Sequence, residues 1–278
     1  MTKIVFVSEG LITKQDLEER KIPQMLDEFS EYGIKYEFTE DLAALKGADG
    51  NMREANLRLE KEGPDWVEQT PEFLDSIKDA DIIIMHYSGA GKKFFEAAKN
   101  LKLLCVMRSG VENVNMEAAK EHGVVVCASP GRAAEPVADF AVTLMLALMR
   151  RLPVNDMGGS GKWKDSVMGL EGMMKNSTVS LLGFGAIAQK VALRLKGFGC
   201  NIISYDPWGN KEKAEELGVE LVDNIEQLFK RADFLSVHAR LTDENHGMIN
   251  KELLSLMKPT AYLINTARAG LVDEDALI

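Results

Sequence analysis

Three cysteines in 278 residues, Cys105, Cys127 and Cys200, are too few and too irregularly spaced for a disulfide scaffold or a thiolate metal centre. All three sit in or beside apolar, strand-like segments, so they read as small buried hydrophobes in a reducing compartment. The four histidines, His86, His122, His238 and His246, are equally scattered, and no metal-ligand spacing joins them, so no metal site is expected. Cationic excess is also missing: 33 Lys plus Arg stand against 43 Asp plus Glu, a formal net charge of -10. That balance excludes a dominant basic surface for nucleic acid or anionic lipid. No stretch approaches the roughly 18 uninterrupted apolar residues of a membrane span. The start MTKIVFVSEG likewise lacks the long apolar run of a signal peptide. The expectation is a cytoplasmic protein with no nucleic-acid or membrane partner.

What is present is globular: 46% of residues are hydrophobic and 27% charged. The length suggests two domains on the rule of roughly 100 to 200 residues each, and an α/β pattern divides them. Over residues 1–132 the runs KIVFVS, DIIIMHY, LKLLCVM and GVVVCAS read as strands separated by helices, an open parallel sheet of flavodoxin-like type. The charged stretch 41–72 interrupts this pattern and reads as a solvated surface excursion. A long helix near 133–150 follows, with Val137, Phe140, Ala141, Leu144, Met145 and Leu148 on one face. The Gly- and Met-rich arm after it carries Trp163, which suits either a subunit contact or ordinary core packing. From Thr178 the alternation restarts with TVSLLG, NIISYD, VELV, FLSVH and AYLINT, a doubly wound sheet of Rossmann type over residues 133–278.

LLGFGAIAQKVALRL places Gly183, Gly185 and Ala188 at a strand-to-helix turn. The first glycine permits the tight turn, the second lets backbone approach a pyrophosphate, and the third position needs a small side chain where helix meets strand. Asp206 ends the next strand near the spacing of roughly 20 residues at which a carboxylate takes ribose hydroxyls. It also repels a 2'-phosphate, and Pro207, Trp208 and Gly209 bring no Arg to receive one. NAD is therefore expected over NADP, with Lys211 and Lys213 the nearby cations that could soften the preference.

These segments, with SVHARLTDENHGMINKELLSLMKPTAYLINTARAGLVDEDAL and the upstream GVENVNMEAAKEHGVVVCASPGRAAEPVADFAVTLMLALMR, resemble the NAD-dependent D-isomer-specific 2-hydroxyacid dehydrogenases, phosphoglycerate dehydrogenase among them. The resemblance runs from about Leu101 to the end. It implies hydride transfer between NAD(H) and a small D-2-hydroxy acid or 2-keto acid of the phosphoglycerate, glycerate/hydroxypyruvate or glyoxylate class, bound between the domains of a homodimer. The family's catalytic Arg falls on Arg268, where a guanidinium can grip a carboxylate with two prongs and polarise the neighbouring keto oxygen. The loop Ser109-Gly110-Val111 would hold the other side of that carboxylate. Ala186 and Ile187 would face the pyrophosphate, His238 and Ala239 the middle of the cofactor, and Thr266 and Ala267 its nicotinamide side. From the residues themselves, His238 reads rather as a satisfied structural histidine than as a cofactor contact. A phosphorylated substrate would need further cations, for which Arg132, Lys92 and Lys93 are the available residues.

The sequence departs from the family pattern at Ala186, Arg240 and Ala269, where relatives often carry Arg, Pro and Gly. The family's general acid His and its Glu lie after the NTARGG-like motif, and no histidine here takes that place. Asp273, Glu274 and Asp275 open a helix that has barely begun at Ile278. The expectation is a C-terminally truncated dehydrogenase that lacks its sixth Rossmann strand, the return segment of its substrate domain, and its proton donor. The alternative is a non-catalytic NAD sensor like the C-terminal-binding corepressors, which resemble the same motifs.

Overall fold

The computed structural model describes residues 2–10, 12–150, 152 and 172–278. Two compact units divide the chain, Met1–Arg132 and Ala133–Ile278. The arm bearing Trp163 lies outside the described residues.

The first unit is built on β1 (Thr2–Ser8), β2 (Ile34–Glu40), β3 (Ile82–Met85), β4 (Leu103–Val106) and β5 (Val125–Ala128). They form one parallel sheet in the order β2-β1-β3-β4-β5, the flavodoxin-like order. Alternation along each strand decides which face a residue joins. Val5 and Val7 pack with Ile83, Met85, Leu104 and Val106 on one face. Ile4 and Phe6 turn to the other and meet Leu17. Fully burying a side chain such as Phe94 or Leu104 contributes about 1.5–3 kcal/mol.

Three expectations change here. IKYEFTE forms β2, which the sequence pattern does not announce, because its apolar residues alternate with Lys and Glu on a half-buried edge. The stretch 41–72 is not simply solvated. Helix Met52–Glu62 is capped by the Asn51 side chain and buries Ala55 and Leu59, and Leu59 packs with Ala44 and Val67 in a small core of its own. Charge and burial coexist because the helix turns only one stripe inward. The cysteines are free thiols, as read, but Cys127 is exposed and Cys105 and Cys200 are half-buried. Cys127 lies on β5 at the sheet edge, opposite Cys105 in the register.

The second unit carries β6 (Thr178–Leu182), β7 (Asn201–Tyr205), β8 (Val219–Leu221), β9 (Phe234–Val237) and β10 (Tyr262–Asn265). Their parallel order is β10-β9-β6-β7-β8, the arrangement of the first five strands of a dinucleotide-binding fold. Helix Ala134–Met149 packs Ala138, Ala141 and Met145 against Ala188, Val191 and Leu195 of helix Ala186–Leu195. Small residues at that crossing let the two helices approach closely. On the opposite face Leu228 and Phe229 of helix Ile225–Arg231 cover Ile203, Leu235 and Val237. Both faces are therefore buried, which is why these strands read as continuous apolar runs. After β10, Asp273 caps a single 3-10 turn, Glu274–Leu277, by accepting from the Asp275 N–H at 3.2 Å.

Candidate functional site

In the second unit the polar groups gather where the strands end. Gly183 follows β6 with φ +96, in the left-handed region that favours glycine. A Cβ there would stand 3.0 Å from the Ala239 nitrogen and 3.1 Å from the His238 carbonyl carbon. The glycine turn and the His238-Ala239 end of β9 are thus in direct backbone contact. Gly185 caps helix Ala186–Leu195 with no side-chain hydrogen bond, and a Cβ on it would meet nothing within 4 Å. Gly185 and Ala186 are exposed, so the positive end of the helix dipole lies at an open surface. Ala188 is fully buried beneath the turn, so a larger residue there would push helix from sheet.

Asp206 reaches the same turn. One carboxylate oxygen accepts from the Phe184 N–H at 2.7 Å and the other from the Trp208 N–H at 2.9 Å. Both oxygens keep lone pairs for a hydroxyl donor, because each accepts only once from these amides. Of the two nearby lysines, Lys213 is held to Glu216 at 2.7 Å. Ala186 is exposed beside Gly185, and Ile187 is half-buried against the core. His238 donates to or accepts from Ser236 Oγ at 2.9 Å, and burial pushes its pKa down to about 4. It is therefore a neutral, hydrogen-bonded ring. The structural reading fits its chemistry, and its backbone still lines the glycine turn.

Thr266, Ala267 and Arg268 leave the end of β10, whose Asn265 pairs in register with Val237. The Asn265 amide ties this corner by donating to the Arg268 carbonyl at 2.9 Å and accepting from the Ala267 N–H at 3.0 Å. The exposed Arg268 guanidinium donates to the Ala267 carbonyl at 3.1 Å. Thr266 Oγ1 is buried without a hydrogen-bond partner. A buried hydroxyl in that condition asks for a ligand group. An open glycine-capped helix end, a ribose-type carboxylate and an orphaned hydroxyl together fit a dinucleotide.

The first unit holds Ser109, Gly110 and Val111 after β4. Ser109 Oγ reaches the Ser129 carbonyl at 3.5 Å, and a Cβ on Gly110 would collide with the Glu112 carboxylate. Arg108 is buried, 3.7 Å from Glu60 and 3.9 Å from Glu112, with its guanidinium 4.7 Å from the centre of the Tyr87 ring. Arg132 is engaged rather than merely solvated, at 3.1 Å from His86 Nε2. Lys92 and Lys93 are exposed.

A group that the motifs did not reveal surrounds this loop. Glu9, Asp41, His86, Ser88, Arg108 and Asn113 are all buried polar residues. Glu9 follows β1 and His86 follows β3, the neighbours between which the strand order reverses. Open α/β sheets bind ligands at that place. Glu9 accepts from the Tyr87 N–H at 2.5 Å. Burial, followed by the neighbouring Asp41 charge, raises the Glu9 pKa to about 7. Burial and the Arg132 and Arg108 charges push His86 down to about 4. The signal available in the sequence was the position of SEG and HYSG immediately after two apolar strands.

Residues 142–278 match the family described as D-isomer specific 2-hydroxyacid dehydrogenase, NAD binding domain. The chain is similar to D-3-phosphoglycerate dehydrogenase of Methanocaldococcus jannaschii, 41% identical over 210 residues that make up 74% of this chain and 40% of the relative. It is 38% identical over 214 residues to glyoxylate reductase of Thermococcus litoralis, covering 74% of this chain and 64% of that protein. The chain thus spans less than two thirds of the length of these relatives. The solved apo-structure of D-lactate dehydrogenase from Escherichia coli superposes with TM-score 0.70 at 25% identity, over 99% of this chain and 77% of that one. Sequence identity that extends upstream of the matched domain, together with a likeness in fold over nearly every residue, leads to one placement: the chain belongs to the D-isomer specific 2-hydroxyacid dehydrogenase family.

Proposed function

We propose that this chain forms part of an NAD-dependent oxidoreductase that moves hydride between NAD(H) and a small D-2-hydroxy acid or 2-keto acid. The observation that carries the reading is the turn at Gly183-Gly185 with Asp206 bonded to the Phe184 N–H at 2.7 Å. Gly183, Gly185, Ala186 and Ile187 would receive the pyrophosphate, Asp206 the adenosine ribose, His238 and Ala239 the middle of the dinucleotide, and Thr266, Ala267 and Arg268 its nicotinamide end. NAD, when bound, supplies or accepts the hydride. Arg268 would grip the substrate carboxylate and polarise the keto oxygen, so that negative charge developing there meets a fixed cation. In the first unit, Ser109, Gly110 and Val111 are the residues proposed for substrate binding.

The relatives' names support substrates of the phosphoglycerate, glycerate/hydroxypyruvate and glyoxylate class. A homodimer in the cytoplasm completes the reading. The three cysteines are free thiols, and no helix among the described residues is long and apolar enough to cross a membrane.

The test is NADH oxidation, by the longer protein of which this chain would form part, on glyoxylate, hydroxypyruvate and 3-phosphohydroxypyruvate, with the 278-residue chain expected to be at least about a hundredfold less active for want of a general acid. Turnover is expected on at least one, with a fall of about 10² to 10³ in kcat for Arg268→Ala, the range for removing one transition-state charge partner. Tight NADH binding with no turnover on any 2-keto acid would sink the enzyme reading.

A further inference from the structure

The Trp208 side chain is 90% exposed, and among the described residues no hydrogen bond, cation or second ring engages its indole. Trp66 differs: it lies against the Leu59 core, with the Arg58 guanidinium 4.1 Å from its ring centre. Exposure alone carries nothing, since single apolar side chains in water are common. What sets Trp208 apart is how firmly it is held, and by which residue. Asp206-Pro207-Trp208-Gly209 is a turn closed by the Gly209 N–H, which donates to the Asp206 carbonyl at 3.0 Å. Pro207 fixes its own φ, and the Trp208 N–H donates to the Asp206 carboxylate at 2.9 Å. A Cβ on Gly209 would stand 3.2 Å from the Asp206 carbonyl oxygen, so glycine lets the chain fold back this tightly. The backbone beneath the indole is thus tied to the side chain assigned to the adenosine ribose, whose other oxygen holds the Phe184 N–H of the glycine turn at 2.7 Å.

We propose that Trp208 is the platform on which the adenine ring of the dinucleotide stacks. This rests on the reading above in which Asp206 takes the adenosine ribose. A base is attached at the ribose carbon next to the 2'-hydroxyl. A carboxylate that accepts from the ribose hydroxyls therefore has the base within a side-chain length, and two residues on stands the exposed indole. Stacking on an aromatic face asks for no particular edge of the base and works without a hydrogen bond. It also leaves the Asp206 lone pairs to the sugar. The turn divides the adenosine between two side chains, a charge for the hydroxyls and a ring for the base.

The experiment titrates the full chain with ADP-ribose, which carries the adenosine and pyrophosphate but no nicotinamide. Trp208→Ala and Trp208→Leu should each raise the dissociation constant roughly tenfold, within the range for losing one base-stacking ring, while Trp208→Phe should stay within about threefold of the wild type. All three variants keep the backbone N–H that Asp206 holds, and the side chain they alter is in water, so the fold is not at stake. Ribose 5-phosphate, which has the hydroxyls and no base, should bind the wild type and Trp208→Ala alike. NMR of the three tryptophan indole N–H signals gives a second readout. The signal missing in Trp208→Phe should move upfield under the adenine ring current as ADP-ribose is added. A stationary Trp208 signal, wild-type affinity in Trp208→Ala, or equal affinities in Trp208→Leu and Trp208→Phe would each overturn the platform. So would a change in oligomeric state, in place of ADP-ribose affinity, on replacing Trp208. Asp206→Asn separates the two readings. If it weakens ADP-ribose binding and Trp208→Ala does not, the platform falls and the ribose contact stands. If no ADP-ribose binds at all, the dinucleotide reading of this turn and the platform fall together.

Discussion

Asp206 does two jobs with one carboxylate. It fixes the Phe184 and Trp208 amides, and it presents negative charge at the end of β7. Asp206→Ala should raise the NADH dissociation constant at least tenfold, narrow the preference for NADH over NADPH, and lower stability by about 1–3 kcal/mol through two unmatched amides. Isothermal titration with both cofactors, beside urea unfolding, measures all three effects. Unchanged discrimination between the cofactors would remove Asp206 from the ribose. Glu9 makes a separate prediction. With its pKa raised from 4.5 to about 7, the folded chain holds this proton more tightly than the unfolded chain. The stabilisation is complete below pH 4.5 and is lost as pH rises through 7, in total about 3 kcal/mol at 1.36 kcal/mol per unit. Glu9→Gln, uncharged at every pH, should flatten that segment of the stability profile and exceed the wild type at pH 8. A parallel pair of unfolding curves at pH 5 and pH 8 would refute the burial of this charge.

Among the elements, helix Met52–Glu62 shows how a misleading composition arises. Its residues are mostly charged or polar, yet Leu59 is 1% exposed and Ala55 2%. Two apolar positions four apart are enough to seat a helix when a partner surface exists, and Ala44 and Val67 provide it. Leu59→Ala should therefore cost about 2–5 kcal/mol, as for a filled core position, where a solvated helix would lose under about 0.5 kcal/mol. Chemical denaturation of the purified variant decides between them. The glycine turn behaves oppositely, since its structural demands are local and stated in its own residues. Gly183 sits at φ +96 against the His238-Ala239 backbone, and neither constraint depends on a distant partner for the sequence to announce it.

At the scale of the molecule, each hydrophobic cluster of the described residues stays within one unit: Leu59, Phe94 and Leu104 belong to the first, Met145, Leu181 and Phe229 to the second. Scanning calorimetry should resolve two transitions. NADH should raise only one, by mass action on the unit that binds it, about 2.7 kcal/mol at a hundred times the dissociation constant. Leu59→Ala should lower only the other. A single transition shifted by both perturbations would show the units unfolding as one.

The alternation of strands and helices, the Gly183-Gly185-Ala188 turn, Asp206 and the family were all legible in the chain, because each depends on residues near one another in sequence. A turn into a helix, a capped helix end or a run of buried β-branched residues carries its own physical signature. β2 escaped because an edge strand half-open to water tolerates the lysines and glutamates that mask its period. The group around Glu9 escaped for a different reason. Glu9 and Tyr87 are 78 positions apart, and Glu60 lies far from Arg108 in sequence as well, so nothing local marks them as neighbours. Only the order β2-β1-β3-β4-β5 brings the ends of β1 and β3 side by side, and only the roof of residues 41–72 removes water from between them. Local sequence determined the frame and the cofactor turn. Tertiary structure decided which charges are desolvated, since a carboxylate changes its chemistry only when distant parts of the chain have displaced its water.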